Sequence, residues 1–319
     1  MKRNSIAIIV IFLLVVPLAF FRIETASAGT ITVPDDYPTI QEAINNANDG
    51  DTVFVRNGTY EEDMVINKSI SLIGENKIGT IISGEYLYGE GVVYINASNV
   101  LLSGFTIRRG FWGVMVDYAY DIIITNNIID DNKYAGIELY FNYNVTIVEN
   151  TISNTRGYLS SNPIGGYCGG NTTLIYHNNF INNHEAGMYY AKGIWDDGYP
   201  SGGNFWDWYR SADLYSGPFQ NETGSDGIGD SPKHISDEMP TWTYDRYPLI
   251  FPYGYVPKPD LNNDGMIDIF DLVQIALTYG SVPGMPIWNP YVDLNQDSII
   301  DIFDLVAIAV IFGEAYPPP

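Results

Sequence analysis

Four stretches decide the fold: VLLSGFTI at 100–107, IIITNNII at 122–129, VTIVENTI at 145–152 and LIYHNNFI at 174–181. Aligned on Ser103, Thr125, Val148 and His177, they recur at spacings of 22, 23 and 29 residues. Each holds two short β-rich runs. A strand led by glycine follows in the same unit: GVMV at 113–116, GIEL at 136–139 and GMYY at 187–190. A unit this small, without a helix, cannot bury its apolar side alone; stacked copies can. Three strands per unit, stacked about 4.8 Å apart, give a right-handed parallel β-helix with alternating Val and Ile filling the bore. A propeller needs longer units of four strands, and a leucine-rich repeat needs its leucine pattern; neither fits. Asn127, Asn150 and Asn179 take equivalent places in this alignment, which predicts a stacked amide ladder at a coil corner.

Upstream, residues 31–55 read ITVPDDYPTIQEAINNANDGDTVFV. Thr39 and Glu42 make a capping-box pattern ahead of Ile40, Ala43, Ile44 and Ala47, so a short amphipathic helix is predicted as an N-terminal cap. The chain opens with Lys2 and Arg3, an apolar run over 6–21 and Ala26-Ser27-Ala28, a secretory leader by pattern. An uncleaved anchor is the alternative, and the one route by which a membrane is expected. The resulting plan is a signal peptide at 1–28, a β-helix at 29–250, a Pro-rich linker at 251–259, a small module at 260–313 and a tail at 314–319. A net charge of −23 excludes nucleic acid and anionic membranes as partners. One cysteine, Cys168, excludes an intramolecular disulfide. The expected location is secreted or cell surface.

The cap, the repeats and the closing segment are similar to a secreted β-helix family of carbohydrate-binding proteins and sugar hydrolases, archaeal surface members above all. That closing segment is GNFWDWY at 203–209, GSDGIGDSP at 224–232 and DRYPL at 245–249. It also resembles the end of periplasmic accessory proteins of nitrous-oxide reductase. The three histidines, His177, His184 and His234, are scattered, so soft-metal ligation is not expected. The resemblance implies contact with polysaccharide. Tyr118, Tyr120, Tyr140, Phe141 and Tyr143 fall near one corner of successive coils, and Trp206 and Trp208 offer a second platform. For catalysis the candidates are Asp130, Asp131, Arg108 and Arg109, a lyase-like or hydrolase-like cluster. A charge-paired surface is the competing reading of the same residues.

The C-terminal stretch carries one pattern twice: DLNNDGMIDIFD at 260–271 and DLNQDSIIDIFD at 293–304. Asp, Asn and Asp at alternate places, then acids at the ninth and twelfth, make an EF-hand-type loop for a hard cation that takes oxygens. The expected ligands for two calcium ions are Asp260, Asn262, Asp264, the Met266 carbonyl, Asp268 and Asp271. The second loop offers Asp293, Asn295, Asp297, the Ile299 carbonyl, Asp301 and Asp304. Gly265 suits the turn at the sixth place and Ser298 does not. Ile267 and Ile300, at the eighth, are expected to point inward and join the two loops.

Each loop runs into one short helix ended by Gly280 or Gly313. A loop with a single following helix, given twice, resembles a type I dockerin, the family that binds cohesin modules of a scaffold or partner protein. The resemblance implies that Ile269-Phe270 and Ile302-Phe303 help read the partner. The reading as a whole is an exported polysaccharide-binding or polysaccharide-processing β-helix protein tethered through a calcium-dependent dockerin. A polysaccharide lyase or glycoside hydrolase, and a non-catalytic structural surface protein, are the alternatives.

Overall fold

A computed structural model describes residues 28–86, 91–155, 162–168, 173–183, 193–224, 226–236, 243–254, 259–262, 264–282, 285–289, 291–295 and 299–315. The leader, GMYY at 187–190, His184, Asp297 and Ser298 lie outside them, as does the side chain of Cys168.

The strands form a mostly β solenoid of three parallel sheets. The first sheet stacks Thr30–Val33, Thr52–Val55, Ser71–Gly74, Val100–Ser103, Tyr120–Thr125, the end of Ala135–Val148 and Leu174–Tyr176. The second stacks Thr80–Ser83, Thr106–Arg108, Ile128–Asp130, Thr151–Ser153, Asn179–Ile181 and Phe205–Trp206, with Gly58–Tyr60 at its start. The third stacks Met64–Ile66, Gly91–Ile95, Trp112–Asp117, the start of Ala135–Val148 and Asn162–Cys168. That last strand carries Pro163, Gly165 and Gly166, so its β signal was invisible in the sequence.

Period-two alternation sends every second side chain into the bore. One inward column runs Val53, Leu72, Leu102, Ile124, Ile147 and Ile175, all fully buried. Another runs Ile82, Ile107, Ile129, Ile152, Phe180 and Trp206. Burial of each such side chain stabilises by roughly 1.5–3 kcal/mol. The helix Ile40–Asn46 (α1) closes the N-terminal end with Ile40, Ala43 and Ile44. Thr39 accepts the Glu42 N–H, while the Glu62 carboxylate accepts the free N–H groups of Ile40 and Gln41.

The amide ladder exists, with one correction. Its rungs are Asn127, Asn150, Asn178 and Asn204, not Asn179. The Oδ1 of Asn127 accepts the N–H of Phe105 at 3.0 Å, that of Asn150 the N–H of Asn127 at 3.0 Å, and that of Asn178 the N–H of Asn150 at 3.1 Å. Asn204 does the same for Asn178 at 3.0 Å. Asn126, Glu149 and His177, each just before a rung, are left-handed, as is Gly104 before Phe105. This column equates His177 with Glu149, not Val148, so the last spacing is 28 residues, as the pairing of Val148 with Tyr176 requires. Asn179 instead pairs with Thr151 in the second sheet.

The C-terminal module has its own core of Ile267, Ile275, Val292, Ile300 and Ile308. Its helices are Ile269–Thr278 (α2) and Ile302–Ala309 (α3), each opened by a full capping box, Asp268 with Asp271 and Asp301 with Asp304. Ile267 and Ile300 do point inward, into one shared core, while their backbone groups pair elsewhere. Gly313 donates to the Ile267 carbonyl at 2.7 Å and Ile267 to the Glu314 carbonyl at 3.0 Å. Gly280 donates to the Ile300 carbonyl at 2.7 Å and Ile300 to the Ser281 carbonyl at 3.0 Å. Each loop therefore pairs with the chain leaving the other repeat's helix, which draws Glu314 and Ala315 out of the tail and into the module. The linker also shortens, because Tyr253 stacks on His177 at 4.2 Å and pairs with Asn179.

Candidate functional site

At the corner from the third sheet to the first, two ring pairs stand outward. Tyr118 stacks on Phe141 and Tyr120 on Tyr143, each with centroids 5.0 Å apart. Tyr118 and Phe141 sit at φ 48° and 51°, a region that costs bulky residues of order 1–2 kcal/mol. That backbone turns the rings away from the bore, leaving Tyr118 72% and Phe141 55% exposed. Beneath them Asn142, fully buried, accepts the Ala119 N–H and donates to the Val116 carbonyl, fixing the corner. The result is an exposed aromatic ridge on a hydrogen-bonded corner.

Of the other aromatic candidates, Tyr140 lies off the ridge and Trp206 is corrected. Tyr140 belongs to the third sheet, half-buried, and its phenol hydrogen-bonds Glu138. Trp206 is 3% exposed: it ends the inward column, stacks on Phe180 at 4.2 Å and donates its indole N–H to Asp245. It offers no face to a ligand. Trp208 packs against the core, edge-on to Trp206.

Arg108 and Asp130 are register partners in the second sheet, and Arg109 and Asp131 follow them at left-handed corners. The carboxylates are engaged. Asp131 accepts the Tyr86 phenol at 2.6 Å, while Asp130 accepts the Ser153 hydroxyl and the Asn154 amide, both at 2.6 Å. Arg109 lies over the Tyr86 ring. This is a hydrogen-bonded coil edge.

In the first C-terminal loop the acids gather backbone donors. Asp260 accepts the N–H groups of Asp264 and Gly265. Asp271, fully buried, accepts those of Leu261, Asn262 and Asp268. Asp304 repeats this with Leu294, Asn295 and Asp301. Asp293 is buried, and Asp264 and Asp268 hold the turns at Met266 and Phe270. The donor set is hard oxygen, which fits calcium. Among the described residues no three His, Cys, Asp or Glu side chains already converge on one metal position. Beyond the loops, Ile269, Phe270, Val273 and Leu277 line the outside of α2, and Ile302, Phe303 and Val306 of α3, with Val310 at its C-cap, repeat that spacing. All eight are exposed.

Sequence reasoning missed Glu138 and Asp245. Glu138 alternates with the inward Ile137 and Leu139, so it faces out from the third sheet, yet it is 4% exposed. Among the described residues its Oε2 has no hydrogen-bond partner. Burial pushes its carboxyl up to about 7, against the pull of the Tyr140 hydrogen bond. A lone acid between Ile and Leu in a strand was the available signal.

Residues 22–194 match the family described as right handed beta helix region. Over 117 residues, 36% of the chain, the sequence is 30% identical to a cell surface glycoprotein of Methanothermus fervidus, and it spans 19% of that protein's length. Among solved structures, an alginate lyase from Paenibacillus sp. str. FPU-7 aligns over 53% of this chain and 72% of its own, with 16% identity and a TM-score of 0.40. Pectin methylesterase PemA from Erwinia chrysanthemi aligns over 53% and 59%, with 16% identity and a TM-score of 0.33. Among the described residues no helix is long and apolar enough to cross a membrane.

Proposed function

The chain belongs to the right-handed β-helix family, and from that premise we propose that it is a polysaccharide-binding protein of the cell surface. The ridge of Tyr118, Phe141, Tyr120 and Tyr143 carries this reading. Rigid stacked rings give a large amphipathic face at small entropic cost, suited to the apolar face of a pyranose. The likeness to a cell surface glycoprotein supports the location. The C-terminal module would tether the protein as a dockerin does, through the doubled apolar stripe of α2 and α3, to a cohesin-type partner. An exposed apolar surface repeated on two helices is the signature of a docking face.

Calcium would order the two loops. Asp260, Asn262, Asp264, Asp268, Asp271 and the Met266 carbonyl would hold one ion, and the equivalent residues of 293–304 the other. Bound calcium neutralises the crowded carboxylates; the chain itself supplies the turns and caps that aim them.

Glycan-array binding followed by isothermal titration tests the proposal. The Tyr118→Ala, Phe141→Ala double variant is expected to bind the selected glycan at least tenfold more weakly with an unchanged melting temperature. Equal affinity of variant and parent would sink the ridge as the binding face. Failure of the intact protein to bind any glycan would instead favour a rigid spacer, a role for which the ladder-locked cylinder is also suited.

A further inference from the structure

We propose that Asn221 is an N-glycan acceptor and that the neighbouring Phe219 ring is the bed on which the first sugar lies. This goes beyond the glycan-binding reading of the ridge and does not depend on it. Asn-Xaa-Ser/Thr triplets begin at Asn57, Asn67, Asn96, Asn144, Asn171 and Asn221. Asn171 lies outside the described residues. Attachment uses two groups: the carboxamide Nδ2, which attacks, and the hydroxyl of the third residue, which defines the triplet. At four of the others one group is committed. Asn57 accepts the Thr80 hydroxyl at 3.2 Å, and Asn144 donates its Nδ2 to Asp121. After Asn67, the Ser69 hydroxyl donates to the Ser98 carbonyl at 2.7 Å; after Asn96, the Ser98 hydroxyl accepts the Tyr120 N–H at 3.1 Å. At Asn221 neither the carboxamide nor the Thr223 hydroxyl has a hydrogen-bond partner among the described residues, and both residues are exposed.

The backbone around Asn221 is fixed. Tyr215–Ser216 and Glu222–Thr223 form an antiparallel hairpin. Gln220 donates its N–H to the Gly217 carbonyl at 3.0 Å, and its side-chain amide to that carbonyl and to Asp226, both at 3.0 Å. Asn221 donates its N–H to the Ser216 carbonyl at 3.2 Å, and the Tyr247 phenol bonds the Pro218 carbonyl at 3.0 Å. On this pinned turn Phe219 is 83% exposed, the most exposed large apolar side chain among the described residues. A large ring held in water is the informative exception to burial. A pyranose on Asn221, two residues along the same turn, would cover that ring with its C–H face. The donor class is an oligosaccharide on a polyprenyl diphosphate, brought by an oligosaccharyltransferase. The Asn221 Nδ2 bonds to the anomeric carbon of the first sugar as the bond from that carbon to the diphosphate oxygen breaks. Nδ2 gives one proton to a base of the transferase, and the polyprenyl diphosphate leaves with the bonding pair.

The test uses the folded full chain, an oligosaccharyltransferase that modifies the synthetic peptide 215–225, and its lipid-linked donor, read by mass spectrometry of the digested product. Occupancy at Asn221 is expected to exceed that at Asn57, Asn67, Asn96 and Asn144 at least tenfold. Asn221→Gln should abolish it with circular dichroism unchanged. In the NMR spectrum of the product, protons of the first sugar should be shifted upfield by the Phe219 ring. Phe219→Ala should remove that shift while Asn221 remains modified. A folded chain that stays unmodified at Asn221, or is modified equally at the other four, overturns the acceptor assignment. An Asn221 glycan with unshifted protons overturns the bed.

Discussion

Asp245 stands one rung beyond Asn204. Its Oδ2 accepts the Asn204 backbone N–H at 2.8 Å and the Trp206 indole N–H at 2.9 Å, while Oδ1 accepts the Tyr247 N–H at 3.2 Å. The amide ladder thus ends on an acid that is fully buried. Burial, with the nearby Asp196 charge, pushes this carboxyl up to about 7 against those N–H donors.

The shift sets a pH dependence. A carboxyl raised above its free value of 3.8 favours the fold in its protonated form. That contribution is full below about pH 4 and is lost as pH rises through about 7. Its ceiling is about 4 kcal/mol. Melting of the β-helix is expected to fall from pH 5 to 8. Asp245→Asn should flatten that slope while lowering stability by about 1–3 kcal/mol at pH 5, because an NH2 must then face an N–H. Glu138 adds to the slope in the same direction, so the variant reduces it without erasing it. Parallel slopes in the two proteins would refute the assignment.

The ladder register separates two adjacent residues. Asn178→Ala strips partners from the Asn150 N–H and the Ile147 and Tyr176 carbonyls. A loss of roughly 2–4 kcal/mol is expected from chemical denaturation. Asn179→Ala loses only its exposed bonds to Tyr253 and should cost about 1 kcal/mol or less. The reverse order would show that the repeat is aligned wrongly.

Chelation should act on one part of the chain. With EDTA, the transition of the C-terminal module is expected to move down in temperature while that of the β-helix stays. Asp264→Ala should weaken calcium binding at least tenfold by titration calorimetry. A thermogram insensitive to both calcium and EDTA would rule the ligand loops out.

The stripes on α2 and α3 predict a surface phenotype. Phe270→Ser with Phe303→Ser should lower capture by a cohesin-type module at least a hundredfold, and the helical circular dichroism should persist. Both rings are more than half exposed, so unfolding in the double variant would mean they are packed in solution.

Much of the architecture is legible in one dimension. The β-rich runs at 100–102, 122–124 and 145–147 fix the place of one strand in each coil, and Val145-Thr146-Ile147 also marks its inward face, because strand side chains point to opposite sides in turn. The doubled DLN-D-IDIFD spacing likewise fixes the C-terminal repeats and the helix after each. The site was less legible. Tyr118, Phe141, Tyr120 and Tyr143 could be placed at one corner, yet Tyr140 lies off that ridge and Trp206, read as a second platform, is turned into the bore.

The sequence by itself determined the coil, its period and the chemistry available at each repeat, since these follow from local alternation and spacing. Only the tertiary structure decided the rest: which asparagine joins the ladder, that Asp245 ends it, that each loop pairs with the other repeat's helix, and that Glu138 is sealed beside Gly165. Those outcomes depend on residues about 20 to 50 positions apart meeting by stacking, and burial, the property that sets their energies, belongs to the assembled stack.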